Sequence, residues 1–298
     1  QCDSTTGGCT TVPAVCQDGD PWPFQPDHRY DDVLADTQIP RPPTATAAHF
    51  ARLPKFLQTS EARRRWKIRF GNPAMFQKSV KDYYRLVMGV DDVIGRMVGL
   101  LKRKQLFQNT VIIFTSDNGG YGPATDMDPL WGYKGNYYEG GIRVPFFVHW
   151  PGVVMAGETG IPITGVDLYP TLLAIAGAER PDQVLDGVDL VPLFKGGEVA
   201  GLDERPLFWH FPAYLQSYQV THEQRDPLFR TRPCGVIRMG RFKLHEYFED
   251  GALELYDLVD DIRERNDLAE EKPDKRDELH RLLKEWREKV GAPVPARK

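Results

Sequence analysis

Two stretches decide the fold of this 298-residue chain: VIIFTSDNGG at residues 111–120 and KGNYYEGGIRVPFFVHWPG at residues 134–152. The runs VIIFT and VPFFVHW are continuous, apolar and rich in β-branched or aromatic residues, which is typical of buried strands. The segment of about 28 residues between them is rich in Gly, Tyr and Asp, and loops longer than about 12–15 residues are usually functional. A short helix, DLYPTLLAIA, follows and is stopped by Gly177. This order of elements predicts an α/β layer architecture with a parallel or mixed sheet.

A long helix precedes the first strand. Asn72-Pro73 supplies a capping residue followed by proline in the first turn. After it, apolar residues recur at steps of three and four, and the helix ends in the basic run at residues 102–104, which suits the negative end of the helix dipole. The apolar residues are Val80, Tyr83, Tyr84, Val87, Val90, Ile94, Met97, Val98 and Leu101. We therefore predict that residues 1–200 form a mixed sheet flanked by helices.

The pattern changes at about Leu202. PLFWHF, CGVIRMG, RFKLHEYFED and LELYDL are short strand-like runs separated by Gly and Asp turns, which predicts an antiparallel sheet. Residues 272–290 form an amphipathic helix that places Leu279, Leu283 and Trp286 on one face. We predict a small antiparallel α+β subdomain at residues 201–298, with this helix packed on its sheet.

Composition excludes several classes of protein. Hydrophobic residues make up 41% and charged residues 27%, so the chain is not of the disordered type. A net charge of -4 argues against a nucleic-acid partner. No apolar run reaches the roughly 18 residues of a membrane span, and no signal peptide is recognisable in the sequence. The four cysteines lack the CxxC spacing of a zinc site, and a disulfide among Cys2, Cys9 and Cys16 is left unassigned.

Polar residues follow the first strand directly, in Ser116-Asp117-Asn118-Gly119-Gly120. In open α/β sheets ligands bind beyond the carboxyl ends of the strands. Asp117 and Asn118 offer the side-chain oxygens that Ca²⁺ or Mg²⁺ prefers, and glycines let the backbone approach closely. The alternative is an ordinary turn, because Asp, Asn and Gly often follow strands.

Lys134 lies on the loop that returns to the second strand and is followed by Gly135. A lysine at this place can set a positive charge beside a bound anion. The alternative is a solvated surface lysine. Glu139 and Arg143 are four residues apart, a spacing at which they can pair with each other.

Taken together, these segments resemble the sulfatase family of the alkaline-phosphatase-like superfamily. The resemblance extends to KDYYRLVMGVDDVIGRMVGLL before them and to VDLYPTLLAIAG, PLFWHFPAY, CGVIRMGRFKL and LELYDLVDD after them, and it covers roughly residues 17–295. It implies metal-assisted hydrolysis of a small-molecule or carbohydrate sulfate ester. By the same resemblance, Asp117 and Asn118 are two ligands of Ca²⁺ (alternatively Mg²⁺) and Lys134 is a catalytic residue that binds a sulfate oxygen. Export to the periplasm, the lysosome or the medium is implied by this analogy alone.

His210, in FWHFPAY, is the remaining candidate. By the resemblance it reaches toward the substrate pocket and binds the substrate. The alternative is a structural histidine packed between Trp209 and Phe211, which we favour because an isolated histidine is more often structural.

The sequence departs from the family pattern at the nucleophile. The family uses a formylglycine made within a Cys/Ser-x-Pro-x-Arg motif, and this motif is absent here. The family's other acidic ligands and its Lys-His segment also have no counterpart, and Val15 stands where related sequences carry histidine. We therefore expect the C-terminal part of a sulfatase, inactive by itself. Two alternatives remain open: a metal-dependent phosphodiesterase or phosphatase of the same superfamily, and a non-catalytic sulfatase-like protein.

Overall fold

The computed structural model describes residues 24–52, 58, 61–122, 125–216 and 229–295. Val15, Cys2, Cys9 and Cys16 lie outside these residues. The described residues fall into two compact units. The first unit contains the described residues up to Arg103 and those within 121–126 and 215–230. The second unit contains the described residues within 104–120, 127–214 and 231–295. The domain boundary at residue 201 stays a prediction.

The described residues of the first unit include the helices α1 (Ala47–Ala51), α2 (Glu61–Phe70) and α3 (Pro73–Arg103). The predicted cap of α3 is confirmed, because Asn72 Oδ1 accepts a hydrogen bond of 2.9 Å from the Met75 N–H. The buried apolar residues of α3 lie in its first turns, where Phe76 and Val80 pack in a cluster with Phe70. Helix α2 was not predicted, since EARRRWKIRF carries too few apolar residues to show a helical period.

Beyond these turns, α3 leaves most of its large apolar side chains exposed. Met97, for example, is 60% exposed. The exposed residues are Tyr84, Leu86, Val87, Met88, Val90, Val93, Met97 and Leu100. Within the described ranges, no helix combines the length and the apolar composition that crossing a bilayer requires.

In the second unit, both predicted strands are present as β1 (Ile112–Thr115) and β2 (Phe146–His149). They pair with each other in antiparallel register, with Ile112 opposite His149 and Thr115 opposite Phe146. The short helices α4 (Glu139–Ile142), α5 (Leu168–Ala176) and α6 (Val191–Phe194) belong to the same unit. As the sequence predicts, α5 ends at Gly177, whose φ of 63° is left-handed. The α/β class is confirmed, and the described strands of this part form one antiparallel pair.

The predicted C-terminal sheet is confirmed. Its four strands lie in the order β3-β6-β7-β8, and each neighbouring pair is antiparallel. The strands are β3 (Leu207–Phe211), β6 (Cys234–Met239), β7 (Phe242–Tyr247) and β8 (Leu253–Asp257), while β4 (Leu215–Gln216) and β5 (Phe229–Thr231) pair separately. Helix α7 (Pro273–Lys289) packs on this sheet through the fully buried Leu279 and Leu283, and Trp286 stacks on Phe208 at 4.8 Å.

Strand β7 shows how the two faces of this sheet differ. Leu244 packs with Leu279 and Leu283 of α7. The side chains of Lys243 and His245, one residue to either side of Leu244, point to the opposite face, because successive side chains of a strand alternate. That second face is covered by residues of the KGNYYEGG segment, so the loop that carries Lys134 is docked on the C-terminal sheet.

Candidate functional site

The turn after β1 is fixed by a main-chain hydrogen bond. The Gly119 N–H donates to the Gly141 carbonyl at 2.9 Å. A Cβ atom at residue 119 would overlap the Gly140 carbonyl oxygen. Only glycine therefore fits at this position, and the close backbone approach predicted for SDNGG is confirmed there.

A second main-chain hydrogen bond brings Lys134 to the same turn. The Lys134 N–H donates to the Gly120 carbonyl at 2.9 Å. The side chains of Asp117 and Lys134 are exposed, and that of Asn118 is partly buried. The structure thus brings the backbone of Lys134 next to the turn that carries Asp117 and Asn118. Joint action of their side chains on one anion stays a prediction.

The donor chemistry of the turn fits a hard divalent cation. One carboxylate and one amide oxygen are available from Asp117 and Asn118, and such oxygens are the ligands that Ca²⁺ and Mg²⁺ take. Ca²⁺ wants about 6–8 ligands. Nowhere in the part of the chain that the structure describes do three or more His, Cys, Asp or Glu side chains come together as a metal-binding group. These two residues would therefore supply a minority of the coordination shell.

Asn136 sits inside the loop between Lys134 and α4. It is buried, and neither polar atom of its amide has a hydrogen-bond partner among the described residues. A Cβ atom at Gly132 or at Gly141 would collide with the Asn136 side chain. Because the Gly141 carbonyl also holds Gly119, this packing connects the interior of the loop to the turn after β1.

Tyr138 anchors the loop on the C-terminal sheet. Its hydroxyl donates to Glu254 at 2.8 Å, and the hydroxyls of Tyr247 and Tyr256 each donate to the same carboxylate oxygen at 3.1 Å. The Tyr138 ring stacks on His245 with centroids 4.8 Å apart. Burial, with the nearby Tyr247 and Glu254, raises the pKa of Tyr138 well above its usual value, so its hydroxyl remains a donor.

Glu139, the next residue, enters a buried ionic cluster. Lys243 Nζ lies 3.0 Å from Glu139 Oε1 and 3.0 Å from Glu264 Oε1. The Glu139 N–H also donates to Glu264 Oε2 at 2.6 Å. Arg238 approaches Glu139 at 3.4 Å, whereas Arg143 is 3.9 Å away. The main partner of Glu139 is therefore Lys243 rather than Arg143, because the carboxylate points into the protein and Arg143 lies in solvent.

The electrostatics of the cluster favour a charged carboxylate at Glu264. Burial by itself would raise the pKa of Glu264, but Lys243, His245 and the Glu139 N–H outweigh it and hold that pKa below its usual value. His245 Nε2 lies 3.6 Å from Glu264 Oε1. The Glu139–Lys243–Glu264 cluster thus combines N–O distances of 3.0 Å with nearly complete burial.

His210 lies in β3, and its Nε2 is 2.8 Å from the carbonyl oxygen of Pro293. Its ring also contacts Phe248, with centroids 5.3 Å apart. The flanking residues Trp209 and Phe211 pack with Tyr137 instead. These contacts give His210 a packing role on the side of the sheet that faces α7. Binding of substrate by His210 stays a prediction.

Sequence reasoning missed the residues that hold the loop: Asn136, Tyr138, Lys243 and Glu264. A signal for Lys243 and His245 was present, because RFKLHEYF places both on one face of a strand that should be half apolar. Their partners could not be found that way, since Glu139 precedes Lys243 by 104 residues.

Comparison with known proteins gives two family matches. Residues 23–178 match the family described as sulfatase, and residues 130–290 match that described as N-sulphoglucosamine sulphohydrolase, C-terminal. A sulfatase of Formosa agariphila is 33% identical over 236 residues, which are 72% of this chain and 40% of that protein. The chain therefore spans less than half the length of this relative.

Two solved structures are also similar. One is Ps i-CgsB in complex with κ-ι-κ-neocarrahexaose, with a TM-score of 0.58 and 31% identity over 69% of this chain and 42% of that one. The other is the phosphonate monoester hydrolase of Agrobacterium radiobacter, with a TM-score of 0.53 and 27% identity over 73% of this chain and 43% of that one.

Proposed function

We propose that this chain, which belongs to the sulfatase family, is part of an enzyme that hydrolyses sulfate esters. We propose further that it carries part of the active site of that enzyme. The turn at Asp117 and Asn118 and the loop at Lys134 would form that part. The observation that supports this most directly is the hydrogen bond of 2.9 Å from the Lys134 N–H to the Gly120 carbonyl. It joins the two segments that the sequence singles out for chemistry.

Each residue has a distinct role in this proposal. The Lys134 ammonium group binds a sulfate oxygen and offsets the negative charge that develops in the transition state. Asp117 and Asn118 hold a divalent cation, Ca²⁺ or alternatively Mg²⁺. When bound, that cation polarises the sulfate oxygens as a Lewis acid. Main-chain hydrogen bonds of Gly119 and Gly120 keep the two segments together, so the positive groups are set in place before substrate arrives.

The nucleophile is not supplied by this sequence. It contains no Cys/Ser-x-Pro-x-Arg motif in which the family's formylglycine is formed. We therefore propose that this chain alone binds sulfate but turns over sulfate esters poorly or not at all. Loss of a covalent nucleophile removes several orders of magnitude of rate in other hydrolases.

A sulfated carbohydrate is the substrate class that we propose. The support is the structure of Ps i-CgsB, which is similar to this chain and holds an oligosaccharide. A second candidate is hydrolysis of a phosphonate or phosphate ester, which the similarity to the phosphonate monoester hydrolase favours. The two candidates differ in the central atom of the substrate, so parallel calorimetric titrations of the chain with inorganic sulfate and with methylphosphonate distinguish them by which anion binds more tightly.

The test separates binding from turnover. Inorganic sulfate is titrated into the chain in the presence of Ca²⁺ and followed by calorimetry, for the unaltered protein, Lys134→Ala and the control Lys195→Ala. Lys195 is another exposed lysine of the same unit. We expect Lys134→Ala to weaken sulfate binding about 10-fold or more, in keeping with loss of a charge-assisted contact, and Lys195→Ala to leave it unchanged.

Two results contradict the proposal. Equal sulfate affinity in all three proteins removes Lys134 from the site. Robust turnover of an aryl sulfate by this chain, abolished by Lys134→Ala, shows that the chain is a complete enzyme and that a nucleophile was overlooked.

A further inference from the structure

We propose that Lys243 and Glu264 are positioning residues for Lys134 and for the turn at Asp117 and Asn118, acting through the buried carboxylate of Glu139. This inference rests on the proposed function only for the role of Lys134. The positioning itself is a property of the contacts described above.

The first step is the hold on Glu139. Lys243 contacts both Glu139 and Glu264 at 3.0 Å, and all three side chains are at most 1% exposed. Glu264 also accepts the Glu139 N–H at 2.6 Å and thereby fixes the first residue of α4. The side chain of Glu139 is therefore attached to the C-terminal sheet, and its backbone is attached to the turn after β8.

The second step connects Glu139 to the turn. The two residues after Glu139 are Gly140 and Gly141, and the Gly140 N–H donates to the Trp131 carbonyl at 2.7 Å. The Gly141 carbonyl accepts the Gly119 N–H at 2.9 Å. Residues 119, 140 and 141 are all glycine, and each lies in direct contact with the backbone of another segment of the loop or turn. A shift of Glu139 would therefore be passed on to Gly119 with no flexible side chain between them.

The third step reaches Lys134. The chain from Trp131 to Gly140 is closed by the hydrogen bond between those two residues, and Lys134 lies inside this closed loop. Its own N–H is held by Gly120, next to Gly119. Release of Glu139 would thus loosen both ends of the arrangement that brings Lys134 to the turn.

Charge balance explains why the cluster can act in this way. Lys243 faces two carboxylates, and Arg238, at 3.4 Å from Glu139, supplies the second positive charge. His245 faces Glu264 at 3.6 Å, so the polar groups that face the cluster come from β6, β7, α4 and the turn after β8. Removal of one partner would leave an uncompensated buried charge, which is strongly destabilising. In Lys243→Met, outward movement of α4 would relieve the repulsion between the carboxylates of Glu139 and Glu264. In Glu264→Gln, a neutral amide oxygen would hold the Glu139 N–H more weakly than the carboxylate does.

Amide hydrogen exchange on the whole chain tests this inference. The variants are Lys243→Met and Glu264→Gln. The matched control is Arg241→Met, which removes an ion pair with Asp257 at 2.7 Å on the neighbouring turn. Exchange is compared at Gly119 and Lys134, which report the site, and at Phe248, whose N–H donates to the Pro233 carbonyl at 2.9 Å just beyond the end of the β6–β7 pair.

In both variants we expect exchange at Gly119 and Lys134 to speed up about 10-fold more than at Phe248, the size of a typical coupling between sites. The control should show no such difference. An equal change at all three amides would mean that the cluster acts only on global stability and would overturn the proposal.

A measurement on the unaltered chain covers the case in which a variant does not fold. The amides of Glu139, Gly119 and Lys134 should open with one common free energy across low concentrations of urea, because they are released together. Clearly different values at Glu139 and Lys134 would overturn the coupling. Sulfate titration of the unaltered chain tests the proposed function separately: no sulfate binding alongside a common opening refutes the role of Lys134 and supports the positioning.

Discussion

The C-terminal sheet and helix α3 have equally clear apolar patterns, but the sheet buries its apolar side chains whereas α3 leaves most of its own exposed. Leu244 of β7 and Leu283 of α7 are completely buried. On α3, burial of apolar residues is confined to Phe76 and Val80 in the first turns, and Met97 remains 60% exposed.

The difference shows what an amphipathic pattern does and does not establish. Periodicity predicts that a helix forms and which residues share a face. It does not say whether the chain at hand supplies the surface that covers this face. In the C-terminal region the sheet and the helix are contiguous in sequence and cover each other. Stability should therefore be concentrated in that region, and the following predictions test this.

The largest effect is expected at the centre of the C-terminal core. Leu283→Ala should lower the free energy of unfolding by about 2–5 kcal/mol, because it removes a fully buried side chain and leaves a cavity. Urea denaturation followed by far-UV circular dichroism measures it. The control Lys284→Ala changes the adjacent exposed residue and should shift unfolding by less than about 0.5 kcal/mol. Similar shifts for both variants would contradict the assignment of this helix to the core.

An intermediate effect is expected from the ion pairs between the sheet and α7. Glu246 lies 2.6 Å from Arg287 and 3.1 Å from His280. Burial acts to raise the pKa of Glu246, but His280 and Arg287 outweigh it and lower that pKa from 4.5 to about 2. The folded protein thus releases this proton more readily than the unfolded chain does. The resulting stability is present above pH 4.5 and is lost as the pH falls toward 2.

Urea unfolding at a series of pH values measures this contribution. Glu246→Gln should cost about 1.5–3 kcal/mol near neutral pH, as for hydrogen bonds to charged groups, and the cost should shrink in acid. Glu249→Gln is the control, because Glu249 pairs with Arg232 near the surface of the same sheet. A cost for Glu246→Gln that does not change with pH would contradict the ion-pair explanation.

The smallest effect is expected on α3. Met97→Lys should change the free energy of unfolding by no more than about 0.5 kcal/mol, because Met97 is mostly exposed and both residues are good helix formers. Val80→Lys on the same helix is the control and should be strongly destabilising, since Val80 is buried. Loss of about 2 kcal/mol or more in Met97→Lys would show that this part of α3 is covered in solution.

Much of the fold could be predicted from the sequence because its signals are local. The cap at Asn72, the apolar runs of β1 and β2, the stop at Gly177 and the apolar face of α7 each involve residues a few positions apart. The pairing of Glu139 with Lys243 could not be predicted, because nothing near either residue indicates a partner about a hundred positions away. Helix α2 could not be predicted either, because its sequence is mostly polar and has no apolar stripe to give a periodic signal.

The same division applies to the candidate site. The sequence indicated Asp117, Asn118 and Lys134, because polar groups after a strand and a lysine between structured segments are recognisable. It did not indicate that Gly119 is enclosed by the Gly140 and Gly141 backbone, since such a contact depends on the folded path of a loop.

Two hydrogen bonds that join the turn after β1 to the Lys134 loop run between main-chain atoms, from the Gly119 N–H to the Gly141 carbonyl and from the Lys134 N–H to the Gly120 carbonyl. These bonds do not involve the side chains at residues 117, 118 and 134. Substitution of those side chains can alter the chemistry of the site while the path of the backbone stays the same. In such a scaffold the backbone path can be conserved while the reactive side chains change. This is one physical route by which a single ancestral architecture can diversify into hydrolases of different esters.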